Sequence, residues 1–217
     1  LKNGIVAFCG SKGSGKSTSA SILSSLLNGN VQELAFAQHL KEVCSGVFRL
    51  DMKYFLDPKL KEVELDTYIL LNKNSIEEVL KQFDVKDFDY DKHIRPHINQ
   101  VLIKPRELLQ YMGTDVLHPI DPLIHAKITL AQKDPNRLTV ITDLRFESEF
   151  NYLLNNFKDF IPCYVKNAYA EIAASVDKHP SERDLQKFKN KCIIIENNSD
   201  IAALKQSIKK IVDERLL

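Results

Sequence analysis

From Gly10 to Ser17 the chain reads Gly-Ser-Lys-Gly-Ser-Gly-Lys-Ser, two glycines at a fixed interval followed by a lysine and a hydroxyl residue. That order suits the capture of a phosphate chain. Gly10, Gly13 and Gly15 let successive backbone N–H groups turn inward around phosphate oxygens, Lys16 adds a point charge against them, and Ser17 can offer its hydroxyl to Mg²⁺. Ser11, Lys12, Ser14 and Thr18 complete the expected phosphate-binding segment. A turn that only reverses the chain would use the glycines but would explain neither Lys16 nor Ser17.

A second set of candidates comes from the arginines, of which there are seven. Arg106 falls in the first turn of a helix opened by Pro105, Arg145 follows Asp143 at the end of an expected central strand, and Arg183 lies in a polar stretch between the last two strands. In a doubly wound sheet the carboxyl ends of the strands face the ligand crevice, so Asp143 and Arg145 should emerge near the phosphate loop. The alternative for Asp143 is a helix cap and for Arg145 a surface ion pair; for Arg106 the residues alone leave the two readings open. His93 and His97 have the spacing of a metal pair, but Pro96 stands between them and no third ligand is evident, so both read as ordinary histidines. The four aspartates from Asp84 to Asp91 lack the glycine and glutamate of a calcium loop and read as a solvated turn.

These residues need strands and helices to hold them. Apolar runs at Gly4–Cys9, Val31–Phe36, Thr139–Thr142, Phe160–Val165 and Cys192–Ile195 predict five buried strands. Helical spacing predicts helices over Gly15–Leu27, Leu40–Val47, Ser75–Phe83, Pro105 to just before Gly113, Asp121–Gln132 and Glu147–Asn155. A final helix is capped within Asn198-Ser199-Asp200 and carries an apolar stripe of Ile201, Leu204, Ile208 and Ile211. Alternation of the two types implies an α/β fold, a five-stranded parallel sheet with helices on both faces. Residues 50–100 show no sustained period outside Ser75–Phe83.

With 217 residues the chain suggests one core and a single domain. Thirty basic against twenty-nine acidic residues give a net charge of +1, so no global field draws it to nucleic acid or an anionic membrane. Cys9, Cys44, Cys163 and Cys192 show no CxxC spacing, which suggests reduced thiols and a cytoplasmic setting. The chain passes from Ile5 straight into the glycine-rich loop without a signal-peptide profile, and membrane anchoring is not expected.

The phosphate loop is followed by Phe36-Ala37 with Leu40-Lys41-Glu42, then by Pro105-Arg106-Glu107-Leu108-Leu109-Gln110 leading to Gly113-Thr114-Asp115. Next come Thr142-Asp143-Leu144-Arg145 and His179-Pro180-Ser181-Glu182. In this order the chain resembles the bacteriophage deoxynucleoside monophosphate kinases over nearly its whole length. The resemblance implies a P-loop nucleoside monophosphate kinase fold that transfers the γ-phosphoryl group of ATP to a deoxynucleoside monophosphate with Mg²⁺. It assigns Lys16, Asp143 and Arg145 to catalysis and Ser17 with Asp143 to the metal. Gly10, Ser11, Lys12, Gly13, Ser14, Gly15, Lys16, Ser17, Thr18 and Arg183 fall on the ATP side, and Phe36, Lys41, Arg106, Gln110, Thr114 and Asp115 on the acceptor side. Arg106 would take the phosphate and Gln110 the base, from a monophosphate-binding region at about 37–115, and a lid at about 167–190 would close over ATP. Where relatives carry an arginine shortly after Gly-Thr-Asp this chain has Val116-Leu117-His118, which makes His118 a candidate replacement or a plain surface histidine.

The expected partners are ATP and the monophosphate, with neither nucleic acid nor membrane; a homodimer stays open, and a phage-encoded chain would work in the host cytoplasm. Two rival readings remain: a kinase of another small acceptor of the dephospho-coenzyme A kinase type, and a nucleotide-dependent switch. For the switch, Asn72-Lys73-Asn74-Ser75 imitates a guanine-reading motif but lacks its aspartate.

Overall fold

β1 (Ile5–Cys9) is buried at every position. In the computed structural model, which describes residues 3–176 and 180–216, it runs into the glycine loop and then into α1 (Lys16–Leu26). α1 stops where the Asn28-Gly29-Asn30 signal predicts, with Asn28 and Gly29 both at positive φ. β2 (Val31–Leu34) follows.

Ala37–Ile128 forms a compact unit of its own. It holds α2 (Gln38–Phe48), the single turn α3 (Lys53–Leu56), β3 (Ile69–Leu70) and α4 (Lys73–Gln82). After these come the turn α5 (Tyr90–His93), β4 (Val101–Leu102) and α6 (Pro105–Gln110). β3 and β4 pair antiparallel, with Ile69 opposite Leu102, a ribbon that the sequence pattern does not announce. Asn72 caps α4: its Oδ1 accepts from Ser75 N at 2.9 Å while Asn72 N donates to Ser75 Oγ. The Asn72–Ser75 run is therefore a helix start, which removes the guanine-reading likeness.

α6 does not end before Gly113, as the spacing suggests. It continues as a π-helical segment, Tyr111–Leu117, in which His118 N donates to Gly113 O. Gly113 is buried, and a Cβ there would stand 2.9 Å from Leu40 Cδ2, so its small size serves close packing against α2 rather than a chain stop. α7 (Ile124–Leu130), shorter than the expected Asp121–Gln132, begins in this unit.

The other unit comprises the chain up to Phe36 and from Thr129 onward. It adds β5 (Leu138–Ile141), α8 (Glu147–Asn156), β6 (Phe160–Lys166), α9 (Ala168–Val176) and α10 (Pro180–Phe188). β7 (Ile193–Glu196) and α11 (Ile201–Ile211) complete it. The five strands lie in the order β2-β5-β1-β6-β7, all parallel, with Ala7 of β1 opposite Ile141 of β5 and Pro162 of β6.

Side chains alternate across the sheet. Val6, Phe8, Cys163 and Val165 pack with Ala20 and Leu23 of α1 and Leu204 and Ile208 of α11. On the opposite face α8 sends Phe150 edge-on to Phe160 of β6, 5.7 Å between ring centroids. The expected five-stranded sheet with helices on both faces is what the chain forms.

Two expectations need correction. Where one core is expected, each unit has an apolar cluster of its own among the described residues; the 37–128 unit encloses a set that includes Phe55, Ile76, Leu80, Ile94, Leu108 and Met112. Ile201 is 63% exposed and leaves the α11 stripe to Leu204, Ile208 and Ile211, because its place beside the Asp200 cap lies at the helix edge.

Candidate active site

The loop between β1 and α1 is tightly wound, with Gly10, Gly13 and Gly15 all at positive φ. Gly10 has φ +138°, and a Cβ on it would come within 2.5 Å of Val165 O, so only glycine lets the loop leave the sheet this closely. Lys16 lies in the first turn of α1 and folds its Nζ back to donate to Gly10 O at 2.7 Å and Ser11 O at 2.8 Å. Its ammonium thus already lies over the loop. Ser11 and Ser14 are 3% and 0% exposed, whereas Lys12, Gly13, Ser17 and Thr18 are exposed.

The neighbouring strand supplies the second group. β5 is hydrogen-bonded to β1 in parallel register, so the chain leaves both strands at the same edge of the sheet. Two residues past β5, Asp143 Oδ1 accepts from Phe36 N at 2.7 Å, which fixes the carboxylate by main chain. Phe36 was expected to touch the acceptor; its ring is 2% exposed and its N–H goes to Asp143. Arg145 is exposed, and its backbone is held by Glu149, whose Oε2 accepts from Arg145 N and Phe146 N, both at 3.0 Å.

Glu149 escaped the sequence reading. It sits three residues into α8, where a carboxylate closes a helix start, but the usual serine or threonine partner is absent and Phe146 stands there instead. Burial pushes its carboxyl up to about 8, with the Asp143 charge adding to the rise and the two N–H donors and Arg145 opposing it. Tyr164 of β6 is equally hidden and donates to Glu171 Oε1 at 2.8 Å, so burial and that carboxylate push the phenol up.

In the 37–128 unit four of the acceptor-side candidates, Arg106, Gln110, Thr114 and Asp115, share one continuous element. Pro105 opens α6, and Glu107 Oε2 accepts from Ile103 N and Lys104 N at its start. Arg106 and Gln110 follow one turn apart, and Thr114 and Asp115 ride on the π-helical segment. Lys41 lies half-buried on α2. Arg106 Nε donates to Glu62 Oε1, a partner that no sequence pattern marks. His97 meets the Tyr111 hydroxyl at 2.9 Å through Nδ1, and His93 Nδ1 accepts from Asp89 N. His118 closes the π-helical segment, half-buried near Asp121 rather than open to solvent.

The expected lid lies partly outside the described residues, His179 among them. Within them, α10 is tied to α8: Glu147 N donates to Asp184 Oδ2, Lys187 pairs with Glu147 at 3.5 Å, and Phe188 stacks on Phe150 at 4.8 Å. Arg183 is exposed on α10.

The oxygens that a magnesium ion would use are of the right kind. Ser17, in the first turn of α1 after β1, and Asp143, on the loop after the adjacent strand β5, are hard donors, which suits an ion whose other ligands are phosphate oxygens and water. All four cysteines are thiols. Among the described residues no helix is long and apolar enough to cross a membrane.

Comparison with known proteins finds one sequence relative and similar solved structures. A protein of Acanthamoeba polyphaga mimivirus, named provisionally as a deoxynucleotide monophosphate kinase, is 28% identical over 224 residues, covering 96% of each chain. Among solved structures, dephospho-CoA kinase from Campylobacter jejuni is 16% identical with a TM-score of 0.44, covering 99% of this chain and 97% of its own. Thymidylate kinase from Candida albicans is 13% identical with a TM-score of 0.38, covering 98% and 92%. Residues 68–208, the stretch that carries α6, the π-helical segment, Asp143, Arg145 and Glu149, match the family described as deoxynucleotide monophosphate kinase, and the chain belongs to that kinase family.

Proposed function

We propose that the protein transfers the γ-phosphoryl group of ATP to the phosphate of a 5′ deoxynucleoside monophosphate. A phosphate oxygen of the acceptor bonds to the γ-phosphorus, the bond from that phosphorus to the bridging oxygen of ADP breaks, and deoxynucleoside diphosphate and ADP result. The observation that carries this is the complete phosphate loop, with Lys16 already folded over it, in a chain of this family.

Such a transfer asks little covalent chemistry of the protein and much placing of charge. The backbone N–H groups of Gly10–Thr18 cradle the phosphates of ATP, and Lys16 meets the β and γ oxygens. Ser17 and Asp143 would hold Mg²⁺ directly or through its waters, and the bound ion would supply charge neutralisation at the phosphates. Arg145 stabilises charge on the equatorial oxygens as it develops, and Arg183 assists on the ATP side from the segment at 167–190. On the acceptor side Arg106 takes the phosphate and Gln110 the base, with Lys41, Thr114 and Asp115 assisting them. The same proposal carries the cytoplasm as the setting and small molecules as the partners.

Incubation with ATP, Mg²⁺ and each deoxynucleoside monophosphate in turn tests it, read as ADP and deoxynucleoside diphosphate. Turnover with at least one monophosphate is the expected result. Turnover with dephospho-coenzyme A and with none of the monophosphates overturns it.

A further inference from the structure

We infer that Asn197 is a positioning residue of the phosphate loop, acting through the peptide between Ser14 and Gly15. This rests on the proposal that the loop binds the phosphates of ATP.

The chain leaves β7 at Asn197, whose N–H donates to Lys166 O at 2.8 Å and so extends the β6–β7 ladder by one bond. With the backbone anchored there, the side chain crosses to the loop, and Nδ2 donates to Ser14 O at 2.7 Å. The amide orientation is fixed by chemistry, because a carbonyl can accept only from the NH₂ end. The same Nδ2 would lie 2.4 Å from a Cβ on Gly15. Gly15 is therefore held to glycine by its φ of +100° and by the asparagine that lies against it.

A trans peptide points its C=O and N–H in opposite directions. By holding the carbonyl of Ser14, Asn197 turns the N–H of Gly15 away from itself, toward the phosphate. One side chain thereby decides the aim of one donor in the loop.

Asn197 is itself held from the far side. Asn167 Nδ2 donates to Asn197 O at 2.5 Å, and Asn167 Oδ1 accepts from Ala170 N in the first turn of α9. Asn198 Oδ1 accepts from Ala168 N. Two asparagine side chains thus run from the start of α9 to the loop.

The test uses the full chain with three probes, ATP, inorganic tripolyphosphate and adenosine, by calorimetry, alongside KM for ATP and for the monophosphate. Asn197→Asp keeps the shape but sets a carboxylate against the Ser14 carbonyl; Asn197→Ala removes the contact. Loss of one such bond should weaken tripolyphosphate and ATP about ten-fold in the alanine variant and more in the aspartate variant. Adenosine affinity, the KM for monophosphate and the melting temperature should stay near wild type. Asn167→Ala, which leaves Asn197 in place, should weaken tripolyphosphate by a smaller factor and covers the case in which the Asn197 variants do not fold. Unchanged tripolyphosphate affinity in a folded Asn197 variant, or a parallel loss of adenosine, overturns the inference. A wild-type chain that binds neither ATP nor tripolyphosphate overturns the ATP-binding proposal beneath it.

Discussion

Asp143 accepts the N–H of Phe36 through Oδ1 at 2.7 Å, so one bond ties the chain leaving β5 to the chain leaving β2. The carboxylate has a structural duty and a charge, and substitutions can separate them. Asp143→Asn keeps an oxygen for Phe36 N and should fold normally while losing the charge that favours Mg²⁺. Its activity should fall and be partly recovered as free Mg²⁺ is raised. Arg145→Lys should instead lose about two to three orders of magnitude in kcat, as removal of one charge-stabilising group does, with no rescue by Mg²⁺. A magnesium titration of both variants decides the matter; coincident, unrescued curves would mean that the two residues act as one unit.

Arg106 is paired with Glu62, so an acceptor phosphate must compete with a carboxylate for the guanidinium. Arg106→Ala should raise the KM for monophosphate far more than that for ATP. Glu62→Gln should act in the opposite sense, lowering the KM for monophosphate by about two- to five-fold, the range of a partly exposed ion pair. Steady-state kinetics with each substrate varied checks both, and equal effects on the two substrates would remove Arg106 from the acceptor side.

Lys16 braces the carbonyls of Gly10 and Ser11 as well as facing the expected phosphates. Lys16→Ala should abolish phosphoryl transfer while the chain stays folded, with a small drop in melting temperature from the lost braces. Near-normal turnover in a folded variant would contradict its role.

Glu149 carries a pH dependence whose sign follows from its burial. Its folded carboxyl is pushed up to about 8, above its ordinary range, so the folded state binds the proton more tightly than the unfolded chain. The stability this contributes is complete below the ordinary carboxyl range and is lost as pH rises through about 8. Melting temperature should therefore fall between about pH 5 and pH 8 more steeply in wild type than in Glu149→Gln, which still accepts from Arg145 N and Phe146 N. Equal slopes would show that Glu149 does not titrate in this window.

The glycine loop, β1 and α1 could be read directly because local pattern alone determines them: a buried apolar run, a phosphate motif, then helical spacing to Asn28-Gly29. Residues 50–100 could not, because α3, β3, α5 and β4 have four residues or fewer, and the buried anchors Phe55, Ile69, Leu102 and, just after α5, Ile94 come singly. No period arises from isolated anchors. Asp143 and Arg145 are legible as candidates through their place at a strand end, whereas Glu149 and Glu62 act on groups brought to them by tertiary packing. Asn197 stood beside a visible signal, since Asn198-Ser199-Asp200 marked a helix cap and the structure assigns that cap to Asp200. The asparagine just before it carried no pattern of its own.

The π-helical segment Tyr111–Leu117 acts as a counting device. Arg106 and Gln110, four apart in α6, share a face, but where backbone bonds span five residues, as from His118 N to Gly113 O, the next residue in that row moves from Thr114 toward Asp115. Deleting one residue would return the stretch to α-helical spacing and rotate every later side chain by about 100° against Arg106. Substitutions within Tyr111–Leu117 should be tolerated more readily than any change in its length, and related sequences should keep their gaps out of it.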